Sequence, residues 1–161
     1  IDQFQRYVDP EREYSQKAME MNGRVKDNAD NWKVVGQEFY NWINEIRVDQ
    51  SLPVDICTFN GKSYDMRIIT FRNWEYQLEW PKNIHSVDFR YVLKDFYKLP
   101  NQKRQVDYYK YIYEEDMQNS HTALGDCKGL LSIIQALFDN YKPKLHKYRE
   151  SIHAIIKRCK Q

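Results

Sequence analysis

Residues 54–69 read VDICTFNGKSYDMRII. Val54 to Phe59 are apolar and β-branched enough for a strand buried on at least one face. Asn60-Gly61 then breaks the run, and the chain restarts as a helix with an acid, Asp65, in its first turn. A strand that turns directly into a helix is a building unit of α/β domains, so the rest of the chain can be tested for the same alternation.

Working outward, YDMRIITFRNWEYQL continues the helix toward Pro81, IHSVDF (84–89) predicts a second strand, and YVLKDFYKL (91–99) a helix that ends at Pro100. Residues 101–120 predict a short helix with a loop, in which Tyr108, Tyr109, Tyr111 and Tyr113 read as packing residues rather than base-stacking platforms. HTALGDCKGLLSIIQALFDNY (121–141) sets Ala123, Cys127, Leu130, Ile134 and Leu137 on one helical stripe. Upstream, FQRYV (4–8) alternates as a strand that stops at Asp9-Pro10, and SQKAMEMNG (15–23) predicts a short helix closed by Asn22-Gly23. NADNWKVVGQEFYNWINEI (28–46) predicts an amphipathic helix behind an Asn/Asp cap, with Trp32, Val35, Phe39, Trp42 and Ile46 as its apolar stripe. Strands alternating with helices place the chain in the α/β class.

At 161 residues the chain fits one domain that buries about two-thirds of its unfolded surface. Five glycines and no low-complexity tract leave no flexible linker, so residues 1–141 read as one domain. Residues 142–161 read as a basic helix docked on it through Leu145, Tyr148, Ile152, Ile155 and Cys159. Charged residues make up 30% of the chain, and no apolar run approaches the roughly 18–20 residues of a membrane span. The first ten residues, IDQFQRYVDP, lack the apolar segment of a signal peptide. Cys57, Cys127 and Cys159 form no C-x-x-C pair, which argues against a disulfide scaffold or a structural zinc site and for a reducing, intracellular setting, cytoplasmic or nuclear. The net charge of +2 is uneven: residues 142–161 carry +6 and the remainder −4.

A second acid, Asp126, falls in the first turns of the late helix, five residues after His121. Five residues on one α-helix rotate by about 500°, which sets two side chains roughly 140° apart. The pair can converge only if His121 lies on the loop before the helix, and Asn119, Ser120 and Thr122 are capping types suited to a boundary there. Gly129, three residues on from Asp126, is expected to keep that helix face open.

FNGKSYD after a strand, HTALGD opening a late helix and YVDPEREYSQKAMEMNGRV upstream, in this order, resemble the DEDDh group of 3′→5′ exonucleases, which have a ribonuclease H-like fold. The resemblance runs from about Phe4 to Phe138, and its most specific piece is His121, Ala123 and Asp126 in a His-x-Ala-x-x-Asp arrangement. It implies a central mixed β-sheet flanked by helices, with Asp65 and Asp126 as metal-binding acids and His121 as general base. It also implies two Mg²⁺ or Mn²⁺ ions and a single-stranded DNA or RNA 3′ end as substrate. Members begin with a strand that carries an Asp-x-Glu pair, whereas this chain opens on IDQF, with Phe4 where the glutamate would stand. The first strands of the implied fold are therefore expected upstream of Ile1.

The chemistry accounts for these residue types. Phosphodiester hydrolysis needs a water that is nucleophilic near neutral pH and a clamp for the charge of the transition state, both of which paired divalent ions supply. Hard oxygen ligands hold such ions. A histidine with a pKa near 6.5 can take the proton of the water. Each residue alone has a plainer reading: an acid in a first turn complements the helix dipole, a loop histidine is a polar surface group, and Asp88 caps the helix after IHSVD. Asn60 and the tail cations Lys142, Lys144 and Lys147 are candidates for nucleic-acid contacts, set against a tail that is only a solvated face. Asp65 and Asp126 offer −2 against the +4 of two ions. An alternative is thus a catalytically silent ribonuclease H-like module that binds nucleic acid or a protein partner. A free-standing nuclease, a proofreading unit and a domain working with a polymerase or another replication, repair or RNA-processing protein all stay open.

Overall fold

The computed structural model describes residues 2–11, 13, 29–99 and 104–159. The helix expected over 15–23 lies outside them. The chain divides into two compact units: Ile1–Val54 with Ile68–Ile84, and Asp55–Arg67 with His85–Gln161.

In the first unit, β1 (Val8–Asp9) pairs in parallel with β2 (Asp30–Asn31), Val8 opposite Asp30 and Asp9 opposite Asn31. Only the end of FQRYV is therefore strand. Phe4 instead packs its ring 5.6 Å from Phe39 and 5.7 Å from Trp42, because two aromatic faces offer more apolar area than a two-residue ladder offers hydrogen bonds. Helix α1 (Trp32–Ile46) starts where Asn31 accepts the Val34 N–H at 3.4 Å. It buries Val35, Gly36, Tyr40 and Ile43, while Ile46, expected on the buried stripe, is exposed. The face is fixed by polar anchors as well as apolar spacing. Trp32 Nε1 donates to Asn73 Oδ1 at 2.8 Å, and the Asn73 amide donates to the Tyr40 hydroxyl. Asn73 is buried, so leaving its amide unpaired would be costly.

The second unit holds a three-stranded mixed sheet, order β3-β4-β5, built from β3 (Val54–Thr58), β4 (Ile84–Asp88) and β5 (Arg149–Ser151), apart from the leading residues Val54 and Ile84. Strands β4 and β5 are antiparallel, with His85 opposite Ser151 and Val87 opposite Arg149. Helix α2 (Asp65–Tyr76) begins in this unit, and its later residues belong to the first. Then come α3 (Phe89–Tyr97), α4 (Gln105–Tyr113), α5 (Ala123–Tyr141) and α6 (Ile152–Cys159). This is an α/β architecture.

The core of the unit joins Val87, Phe89, Val92, Leu93, Tyr108, Leu130, Ile133 and Leu137. Helix α5 thus presents Gly125, Gly129, Leu130, Ile133 and Leu137, whereas Ala123 and Cys127 of the expected stripe are exposed. Of the four α4 tyrosines only Tyr108 is core; Tyr109 and Tyr113 pair their rings at 4.7 Å, and Tyr111 is exposed. The tail is not one helix. It forms a 3₁₀ turn (Leu145–Lys147), then β5, then α6, which buries Ile155 completely. Arg149 on β5 makes a bidentate pair with Asp55 on β3, at 2.7 and 2.8 Å, which ties the tail to the sheet. Among the described residues no helix is long and apolar enough to cross a membrane.

Candidate active site

The loop between β3 and α2 is organised by one buried acid. Asp88, at the end of β4, accepts the N–H groups of Asn60 (2.8 Å) and Arg90 (3.1 Å) on Oδ1 and that of Lys62 (3.0 Å) on Oδ2. It therefore caps α3, as expected for a carboxylate before a helix, and also pins the Asn60–Lys62 turn. Asn60 adopts φ +64°, a conformation asparagine tolerates, and its side-chain oxygen accepts from Arg90 at 2.7 Å. A Cβ on Gly61 would lie 2.3 Å from Thr58 Oγ1, so only glycine fits that turn. The Met66 N–H closes on the Gly61 carbonyl at 2.9 Å, and this sets Asp65 into the first turn of α2. Asn60, a candidate nucleic-acid contact, is thus engaged in holding the loop.

Asp65 is exposed as a residue, yet partial withdrawal of its carboxyl from water pushes its pKa above the ordinary aspartate value. A backbone N–H counteracts this, and the neighbouring Asp88 carboxylate adds to it.

Around the second acid, Thr122 caps α5: its hydroxyl accepts the Gly125 N–H at 3.1 Å and donates to the Asn119 carbonyl at 2.8 Å. A Cβ at Gly125 would lie 2.0 Å from that same carbonyl. His121 therefore lies on the turn before the helix, exposed and at φ +72°, and its backbone N–H donates to Asp126 Oδ1 at 3.2 Å. Asp126 is half-buried in the first turn of α5. Gly129 does not leave the helix face open. A Cβ there would meet Met117 Sδ at 2.2 Å, because the segment after α4 folds its methionine onto the glycine.

The two acids, 61 residues apart in sequence, act on one thiol. Partial withdrawal of its sulfur from water pushes the Cys127 pKa upward although the residue is exposed, and the carboxylates of Asp126 and then Asp65 push it further. Asp88 thus bears on Asp65, and Asp65 and Asp126 both bear on Cys127. The hard oxygens of these acids are the donor type that Mg²⁺ or Mn²⁺ prefers, but Asp88 spends its oxygens on three backbone N–H groups. Among the described residues no group of three His, Cys, Asp or Glu is placed to hold a metal ion. By donor chemistry the Asp65–Asp126 pair fits a divalent ion; by number it falls short of a two-ion set. The one Asp-x-Glu in the sequence, Asp9-Pro10-Glu11, lies in the first unit and is consumed by a turn: Asp9 Oδ1 accepts the Glu11 N–H at 2.8 Å, and the Glu11 carboxylate lies 3.9 Å from Arg72.

Of the tail cations, Lys142 is the C-cap of α5 at φ +48°, Lys144 precedes the 3₁₀ turn and Lys147 ends it. All three are exposed, and none stands on an α-helix. Sequence reasoning missed Lys62, whose only signal was its place between Asn60 and Asp65, and the threefold role of Asp88. No family model matches this chain, and neither does any curated protein.

Proposed function

We propose that the protein is a metal-dependent 3′→5′ exonuclease of the DEDDh group, with a ribonuclease H-like fold, that hydrolyses phosphodiester bonds at single-stranded 3′ ends of DNA or RNA. The observation that carries this reading is the joint action of Asp65 and Asp126 on Cys127, with His121 hydrogen-bonded through its backbone to Asp126. This reading is supported by residues from two distant segments, Asp65 and Asp126, bearing on the same thiol. The ions such an enzyme uses would supply an activated water and a charge clamp. Asp65 and Asp126 would hold them, and a cation beside Asp65 would favour the charged carboxylate, which partial withdrawal from water and then the Asp88 carboxylate disfavour. His121 would take the proton of the attacking water on an imidazole that stands exposed on its turn.

A second reading, a silent nucleic-acid- or protein-binding module, is favoured by one observation: Asp126 Oδ1 is already occupied by the His121 N–H. A cleavage assay separates the two. With a labelled single-stranded oligonucleotide and Mg²⁺ or Mn²⁺, the nuclease reading expects stepwise shortening from the 3′ end that a chelator abolishes. Binding without shortening in either metal supports the silent module.

A further inference from the structure

A cleft of about 760 Å³ opens on the second unit, lined by neither Asp65 nor Asp126. Its walls are the Lys62 loop, strand β4 and the segment from His146 to Ala154. We infer that this cleft is a phosphate-binding subsite for the nucleic-acid strand, with Lys62 and Lys147 as its principal cations and His85 and His146 as further donors. The inference deepens the nuclease reading and rests on it for the identity of the strand.

Several polar groups in the cleft are spent on neighbours, and the rest are left to face it. The Arg149 guanidinium is committed to Asp55, and the Tyr148 hydroxyl donates to Asp95 at 2.8 Å. Both acids in the wall are also engaged: Asp88 accepts three backbone N–H groups, and Glu150 is held by Arg158. Lys62 Nζ lies 3.8 Å from Glu150, a long separation that leaves most of its donor capacity unused. Lys147 forms no ion pair among the described residues and is exposed. His85 Nδ1 is buried without a hydrogen-bond partner among the described residues, so an acceptor is missing there or a donor is needed. Ser151 Oγ accepts the Ala154 N–H at 3.2 Å, which leaves its O–H to donate. What remains is a set of donors and positive charge beside acids whose oxygens are already hydrogen-bonded or ion-paired, the complement of an acceptor-only phosphate.

Two features select a strand over a free phosphate ion. Tyr91 is exposed in the same wall, with Lys62 Nζ 5.9 Å from its ring centroid, so a base can stack where its phosphate is bound. Lys62 also lies on the loop that leads into Asp65, three residues before it, which joins this wall to the candidate acid along the chain.

Fluorescence anisotropy of a labelled ten-nucleotide oligothymidylate, in chelator to prevent cleavage, tests this on the full chain. Lys147→Glu with His146→Ala should weaken binding by at least about tenfold, and the slope of log affinity against log salt should become shallower by about 0.7 for each phosphate the variant no longer neutralises. Lys147→Arg should bind as the wild type does, and thermal melting of each variant checks that it is folded. Unchanged affinity and slope in the folded double variant would overturn the subsite, even if the protein cleaves DNA or RNA. Lost affinity in a protein that never cleaves would keep the subsite and remove the nuclease reading. Displacement of the oligonucleotide by inorganic phosphate at equal concentration of phosphate groups would assign the cleft to the free ion and overturn the strand.

Discussion

The two units bring their polar side chains together in different ways. In the first, a neutral relay runs from indole to amide to phenol through Trp32, Asn73 and Tyr40. In the second, charged groups bear on one another: the Asp65 carboxyl is held above its ordinary pKa by partial withdrawal from water and then by the Asp88 carboxylate, and Asp65 and Asp126 both bear on Cys127. A region selected only for packing has no reason to gather like charges, since doing so costs stability. Where they are gathered, function is the economical explanation. The contrast also separates what each substitution should do, with stability and activity moving together in one unit and apart in the other.

On the nuclease reading proposed above, the largest expected effects are on cleavage and belong to the second unit. His121→Asn keeps a residue that tolerates the left-handed backbone and removes the base, and should lower turnover by roughly 10²- to 10⁴-fold. Asp126→Asn should cost more than about a hundredfold. Initial rates on a 3′-terminal substrate measure both, and full activity in Asp126→Asn would remove the acid from the site.

Next is the core of the same unit. Leu137 is fully buried, and Leu137→Ala should destabilise by about 2–5 kcal/mol in chemical denaturation. A value under about 1 kcal/mol would show that the α5 face is not packed as described.

In the first unit, Asn73→Ala leaves the Trp32 indole and the Tyr40 hydroxyl without their partner and should cost about 1–3 kcal/mol. Its cleavage rate, measured well below the melting temperature, should equal that of the wild type. A rate that falls with stability would blur the distinction between the units.

The smallest effect has the opposite sign. Because the folded-state pKa of Asp65 is raised, the unfolded chain loses that proton more readily. Stability from this group is therefore full below the ordinary aspartate pKa and declines as pH rises through the raised folded value. Asp65→Asn should abolish that decline and raise the melting temperature at neutral pH slightly, an effect screened by the exposure of the residue, while on the nuclease reading cleavage is lost. Melting curves from pH 3 to 7 on both proteins check it. A variant less stable than wild type at pH 7 would show that Asp65 forms a structural contact.

Much of the candidate site was legible because its signals are local. Asn60-Gly61 between an apolar run and a helix marks a turn by backbone sterics alone, and Asn31, Asp88 and Thr122 are capping types standing where caps are needed. The same reasoning put His121 on the loop, since a shared helix would have sent it away from Asp126. Tertiary structure alone decided which helix face is buried. Helices α1 and α5 carry apolar residues around more than one arc, so Trp32–Asn73–Tyr40 and the packing of Met117 on Gly129 chose between stripes that spacing left equivalent. It alone turned the middle of the basic tail into β5, because a three-residue strand has no period to read and exists through its partner β4. And it alone gave Asp88 three distant donors and placed Lys62 and Lys147 around one cleft, since hydrogen bonds and charges between segments far apart in the chain leave no trace in either segment read by itself.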